Sequence, residues 1–203
     1  ANFAEDASSI LINGGGIYGV TATTNDGMQC SRSIEFEIVT SEIATITQAD
    51  LIVEDLIGDT GTIEILTDNL GLGDYEFSLD DPLGPYQDTP YFDEVYPGIS
   101  KLYIRDKNGC GIAEIEISIL GHMKFFSPNG DGINDYWQIL GVNDNFQPNS
   151  RIYIYNRFGQ LLLYLDPSKV GWDGTFNGGQ LPQDDYWFKV FFEDGRQHSG
   201  HFS

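Results

Sequence analysis

Short runs that alternate strictly between apolar and polar residues, punctuated by turn formers, constrain this chain more than any other feature. Ile34-Glu-Phe-Glu-Ile38 and Ile115-Glu-Ile-Ser-Ile119 send their isoleucines and phenylalanine to one side and their polar residues to the other. That period of two belongs to a half-buried β-strand. Thr62–Leu66, Tyr75–Leu79 and Lys101–Arg105 read the same way, with glycine, proline, asparagine and aspartate clustered between them. No stretch combines a capping box with a 3.6-residue apolar period, and only Thr47 to Ile57 is ambiguous. The expected fold is all-β, with two Ig-like β-sandwich regions in series, because short strands with turn signals every 8 to 12 residues mark such sandwiches.

An internal repeat refines this. Gly16 leads through Tyr18, Val20 and Ala22 to Asp26-Gly27, then Cys30 and the Ile34 strand. Gly98 leads through Leu102 and Ile104 to Asn108-Gly109, then Cys110 and the Ile115 strand. The expected organisation is a second half of an Ig-like repeat over residues 1–40, free or packed on its neighbour, then an Ig-like sandwich over 41–120 and a separate β-sandwich over 121–203. Leu120-Gly121-His122 is a very short linker on this reading. Cys30 and Cys110 are too few for a disulfide scaffold. They are either unpaired, partly buried thiols or partners of cysteines in neighbouring repeats.

Charge narrows the function. The chain has 31 acidic and 10 basic residues, a net charge of −21, and residues 1–120 hold 22 of the acids and 4 of the bases. Such a surface repels phosphate backbones and anionic membranes, so nucleic acid is not an expected partner. It suits solvation outside a cell and favours divalent cations. No apolar run approaches the roughly 18 residues of a spanning helix. Ala1 opens neither a basic leader nor a long apolar segment, so the chain reads as an internal or C-terminal fragment of a longer exported protein.

The stretch Lys124-Phe-Phe-Ser-Pro-Asn-Gly-Asp-Gly-Ile-Asn-Asp-Tyr-Trp137 sets two aromatic pairs around Asn-Gly and Asp-Gly. Those dipeptides tolerate positive φ and so favour a tight reversal. Downstream come Arg151-Ile-Tyr-Ile-Tyr-Asn-Arg-Phe-Gly159, Gly171-Trp-Asp-Gly174, Leu181-Pro182, Tyr186-Trp-Phe188 and Gly200-His-Phe202. Together they resemble the C-terminal sorting domain that Bacteroidota attach to proteins exported by the type IX secretion system, the type B or gliding motility-associated family. Asp184-Asp185 stand where the resemblance implies a glycine-containing turn. Residues 41–120, through Tyr75–Leu79, Tyr86, Pro97-Gly98 and Leu102–Cys110, are similar to tandem extracellular repeats of surface adhesins from the same bacteria.

The resemblance implies a non-enzymatic export address. It would be recognised by the type IX translocon with an outer-membrane β-barrel partner, and would carry its passenger through the periplasm to the cell surface or medium. The expected contact surfaces are the Asn129–Asp135 loop, the turn of Asn156, Arg157 and Gly159, and the terminal strand with Gln197, His201 and Phe202. A carbohydrate- or surface-binding adhesin module, with polysaccharide as partner, is the alternative. No nucleophile elbow, phosphate loop or dinucleotide fingerprint supports an enzyme.

Asn129, Asp131, Asn134 and Asp135 also form a candidate calcium loop, since hard cations take six to eight oxygen ligands. The EF-hand pattern fails at Ile133 and Leu140. Backbone carbonyls or Asp173 would have to complete the site, and the other reading is a plain turn held by Asx hydrogen bonds. His122, His198 and His201 lack companions at zinc-ligand spacing. Among Tyr153, Tyr155, Phe158, Trp172, Tyr186, Trp187, Phe188, Phe191 and Phe192, about half should face a core rather than a sugar platform, with Trp187 the one expected at the surface.

Overall fold

Each alternating run becomes a strand with its apolar side inward, except at the N-terminal end of the chain. The computed structural model describes residues 11–24, 27–56 and 59–203. Asp26 of the first Asp-Gly turn, Ile57 and residues 1–10 lie outside the described residues. The first two strands, β1 (Gly16–Thr23) and β2 (Ser31–Ile38), pair antiparallel and form a sheet of two.

The next six strands make a two-layer sandwich. One sheet runs β3 (Leu51–Glu54), β4 (Gly61–Ile65), β6 (Tyr91–Val95); the other runs β5 (Tyr75–Leu79), β7 (Gly98–Asp106), β8 (Ile112–Ile119). In chain order this is the A-B-E and C-F-G arrangement of immunoglobulin-type sandwiches. Ile63, Ile65 and Val95 from one sheet meet Phe77, Leu102 and Ile117 from the other in a common core. Full burial of each such side chain stabilises by about 1.5–3 kcal/mol relative to exposure. The ambiguous stretch from Thr47 divides into a one-turn 3-10 helix, Gln48–Asp50, and β3. Thr47 caps that turn reciprocally with Asp50, whose carboxylate also accepts from Asn69.

A second core gathers around a four-stranded antiparallel sheet in the order β12 (Leu161–Leu165), β11 (Arg151–Tyr155), β15 (Tyr186–Phe191), β16 (Gln197–Phe202). Its inner face carries Ile152, Ile154, Tyr186, Phe188, Val190 and Phe202. Opposite lie Leu120, Trp137, Ile139 and Trp172, held by the small pair β9 (Gly121–His122) and β10 (Ile139–Leu140) and by a bridge between Trp137 and Trp172. A two-residue pair, β13 (Thr175–Phe176) and β14 (Gly179–Gln180), follows the second tryptophan.

The short Leu120–His122 segment is itself part of the fold. Leu120 is buried in the second core and Gly121-His122 is strand. The two cores also meet through polar contacts. The buried Asp55 carboxylate accepts the Leu120 N–H at 3.0 Å and pairs with Arg196 at 2.5 Å, while Arg196 also holds Asp194. Ser118 donates to the Gly141 carbonyl at 2.6 Å, and Leu56 packs on the second core. A polar group buried without a partner costs about 1–3 kcal/mol, so this seam is held by satisfied bonds.

Candidate functional site

The motif residues of the C-terminal region separate into rings that build the core and turns that stay outside. Trp137 lies flat against Phe202, with ring centres 4.0 Å apart and planes at 13°, and its indole N–H donates to the Met123 carbonyl at 2.7 Å. Trp172 meets Tyr186 edge-on at 4.9 Å and donates to the Thr175 carbonyl at 2.8 Å. Phe126 touches both Trp172 and Phe202. Tyr186 closes the set through its hydroxyl, which donates to the Pro182 carbonyl at 2.6 Å. Gly171 sits at φ +131°, and a Cβ there would lie 2.6 Å from the Trp137 carbonyl oxygen, so the bridge between the tryptophans needs glycine.

This burial corrects one expected contact residue. Phe202 is 1% exposed and stacks in the core, so its ring offers nothing to a partner. His201 and Gln197, on the opposite face of β16, are exposed. Trp187 is exposed as expected and lies across from His201 with ring centres 5.3 Å apart. Tyr186, Phe188 and Phe192 are buried, and Phe158 is exposed.

The Asn129–Asp135 loop makes the sharp reversal its dipeptides require. Gly130, Gly132 and Asn134 take φ of 78°, 86° and 53°, and the Ser127 N–H donates to the Asn134 carbonyl at 2.7 Å. The Asp135 carboxylate accepts the N–H groups of Gly130 and Gly132, both at 2.7 Å. Asp131 accepts from the Ile133 N–H and from the Asn129 amide, and Asn129 accepts the Asp131 N–H. The Asn129 amide and the Ile133 N–H lower the Asp131 pKa. This is the Asx-turn arrangement. Each acceptor oxygen keeps a further lone pair, so these bonds leave the loop open to a cation as well as to standing as a plain turn. Asp173 is likewise engaged, accepting from the Thr175 hydroxyl and N–H. Among the described residues no group of three or more His, Cys, Asp or Glu converges as a metal-holding cluster.

The turn of Asn156, Arg157 and Gly159 is a second self-contained hydrogen-bonded loop. Asn156 accepts the N–H groups of Phe158 and Gln160, and Gly159 takes φ of 75°. Arg157 pairs with Asp184 at 3.4 Å. Neither Asp184 nor Asp185 has positive φ, and the Asp184 side chain accepts the Asp185 N–H, so the expected glycine is not needed there.

Sequence reasoning did not find the groove beside the chain's last residue. Ser203 accepts the Phe126 N–H at 3.0 Å and donates to the Lys124 carbonyl at 3.1 Å, extending the β16 edge by two bonds. Beyond that pairing Phe125, Phe126, Pro128, Leu181, Pro182 and Tyr186 line a cleft of about 490 Å³. Phe125 follows the alternation outward while Phe126 points in, and that was the available signal. Sequence reasoning also missed that His122 and His198 meet in a tilted contact, ring centres 5.4 Å apart, each against Phe188. Burial lowers the pKa of both rings. Cys30 and Cys110 are free and exposed, which corrects the expectation of partly buried thiols.

No curated protein matches the chain. Among solved structures, Tp47, the 47-kilodalton lipoprotein of Treponema pallidum, aligns with 79% of this chain and 50% of its own length at 8% identity and a TM-score of 0.28. The chain thus spans about half of that protein, and the likeness is too slight to bear on the fold. The region built around Trp137, Trp172 and Phe202 is the informative one: residues 120–202 match the family model of the CHU_C Type IX secretion signal domain, the secretion family to which the motifs point.

Proposed function

We propose that residues 120–203 act as the export address of a large cell-surface adhesin of a Bacteroidota species, and that the chain is not an enzyme. The observation that carries this is the type IX secretion signal match over residues 120–202. Such a signal directs export across the outer membrane to the surface or the medium. The finer statements, a dedicated outer-membrane β-barrel partner, a link to gliding motility and an adhesive passenger, are our reading. Among the described residues no helix is long and apolar enough to cross a membrane.

An address works by being bound, and recognition needs an exposed surface or edge strand. The core rings are unavailable for that role. The candidates are the β16 edge with Gln197 and His201, the Asn156–Gly159 turn, and the Asn129–Asp135 loop, all of them exposed in whole or part. Alanine at Arg157 and His201 together should abolish export of the chain while leaving its unfolding transition in place. Undiminished export would remove these residues from the recognition surface.

The second reading places carbohydrate binding in the 41–120 region, where Tyr91 and Tyr96 are exposed. Retention of the chain on immobilised polysaccharide, lost when both tyrosines become alanine, would favour it.

A further inference from the structure

The two halves of the internal repeat form hairpins of one geometry in opposite environments. Gly16 pairs with Ile38 as Gly98 pairs with Ile119; Val20 pairs with Ile34 as Leu102 pairs with Ile115. Both leading glycines have φ of 148°, and the turn glycines, Gly27 and Gly109, have φ of 81° and 88°. In β7 and β8 the inward face is fully covered, with Leu102 and Ile104 at 0% exposure and Ile117 at 1%. The corresponding face of β1 and β2 is open, with Val20 at 52%, Ile34 at 65% and Phe36 at 40%. Tyr18 covers part of it by stacking on Phe36.

Two elements cover that face in the complete copy. Strand β5 pairs antiparallel with the outer edge of β7, placing Phe77 opposite Ile104 and Leu79 opposite Leu102. The β3-β4-β6 sheet then closes the core from the far side. Among the described residues β1 has no strand beside its outer edge. An apolar sheet face next to an unpaired edge is a template for strand addition.

We propose that β1 and β2 form an acceptor for a half-sandwich of the β3–β6 type, joined ahead of β1 in the same polypeptide. Its third strand adds antiparallel to the β1 edge in the β5 register, with alternate apolar residues opposite Val20 and Ala22, and its three-stranded sheet covers Val20, Ile34 and Phe36. The established β5–β7 pairing and sheet-to-sheet core of the second copy supply this geometry position by position. A second copy of the chain does not fit the role, since its β3, β4, β5 and β6 are already engaged in its own core. The inference is independent of the export reading.

The test uses the full chain with residues 41–97 repeated in place of residues 1–15, so that the added Pro97 leads into Gly16 as it natively leads into Gly98. Hydrogen exchange in β1 should slow by about 100-fold or more relative to the unextended chain, the scale that separates an exposed hairpin from a closed core. Phe77→Asp with Leu79→Asp, in the added copy alone, should return β1 to its original rate. Unchanged exchange in the extended chain would overturn the proposal. So would protection that survives the aspartate pair, or a concentration-dependent dimer of the unextended chain that protects β1 by itself.

Discussion

Phe202 is the last residue of strand β16, and the structure makes it central. Its ring stacks on Trp137 at 4.0 Å and lies within about 6 Å of Phe126, Tyr186 and Trp172. Truncating a buried phenylalanine to alanine costs about 3–5 kcal/mol, a range that already contains the loss of its aromatic pairs, each worth about 0.5–1.5 kcal/mol. Phe202→Ala should therefore cost about 4 kcal/mol. At about 2–4 °C per kcal/mol for a unit of this chain's length, the midpoint should fall by roughly 8–16 °C. The assay is specific, since all three tryptophans, Trp137, Trp172 and Trp187, lie in the C-terminal region and their fluorescence reports on its unfolding. Phe202→Leu, which keeps part of the volume but none of the ring pairs, should lose less than the alanine variant. A loss below about 1 kcal/mol for the alanine variant would refute the reasoning and return Phe202 to the surface.

Three further outcomes are expected. Asp55→Ala removes the acceptor of the buried Leu120 N–H and leaves half-exposed Arg196 with Asp194; urea unfolding should show a loss of about 1–3 kcal/mol, and no loss would mean the seam carries no stability. Burial holds His198 and His122 below the ordinary 6.5, the neighbouring His198 and Lys124 charges lower His122 further, and Asp55 and Asp59 oppose these shifts. The fold thus favours neutral imidazoles: stability should be full above about pH 6.5 and decline as pH falls through the depressed values, less so in His122→Gln/His198→Gln, and parallel pH curves would contradict this. If the Asn129–Asp135 loop holds calcium, excess calcium added after chelation should raise the melting temperature saturably, whereas an unchanged melting temperature would leave it a plain Asx-bonded turn.

The strands were legible because one face of each sheet meets a core and the other meets solvent, so the period of two is written directly into Ile115–Ile119 and Tyr75–Leu79. The Asn-Gly and Asp-Gly reversal was legible for the same local reason, as those residues alone determine where positive φ is cheap. What could not be read depends on contacts between distant segments. The alternation separates exposed Phe125 from partly buried Phe126, but nothing local shows that the two wall a groove, or that Phe202 stacks on Trp137. The seam between Asp55 and Arg196 joins residues far apart in the chain. His122 and His198 likewise meet only because β9 folds over β16. The identical hairpin patterns at Gly16 and Gly98 were visible, but which of them is covered was not.

The central claim is that residues 120–203 suffice as an address, and export measures it most directly. These residues, fused behind a signal peptide and a fluorescent reporter in a bacterium with a working type IX system, should place the reporter outside the cell. That export should disappear in a translocon mutant. Retention of a folded reporter in the periplasm, with the outer-membrane partner co-expressed, would contradict the account and move the weight to the polysaccharide-binding reading.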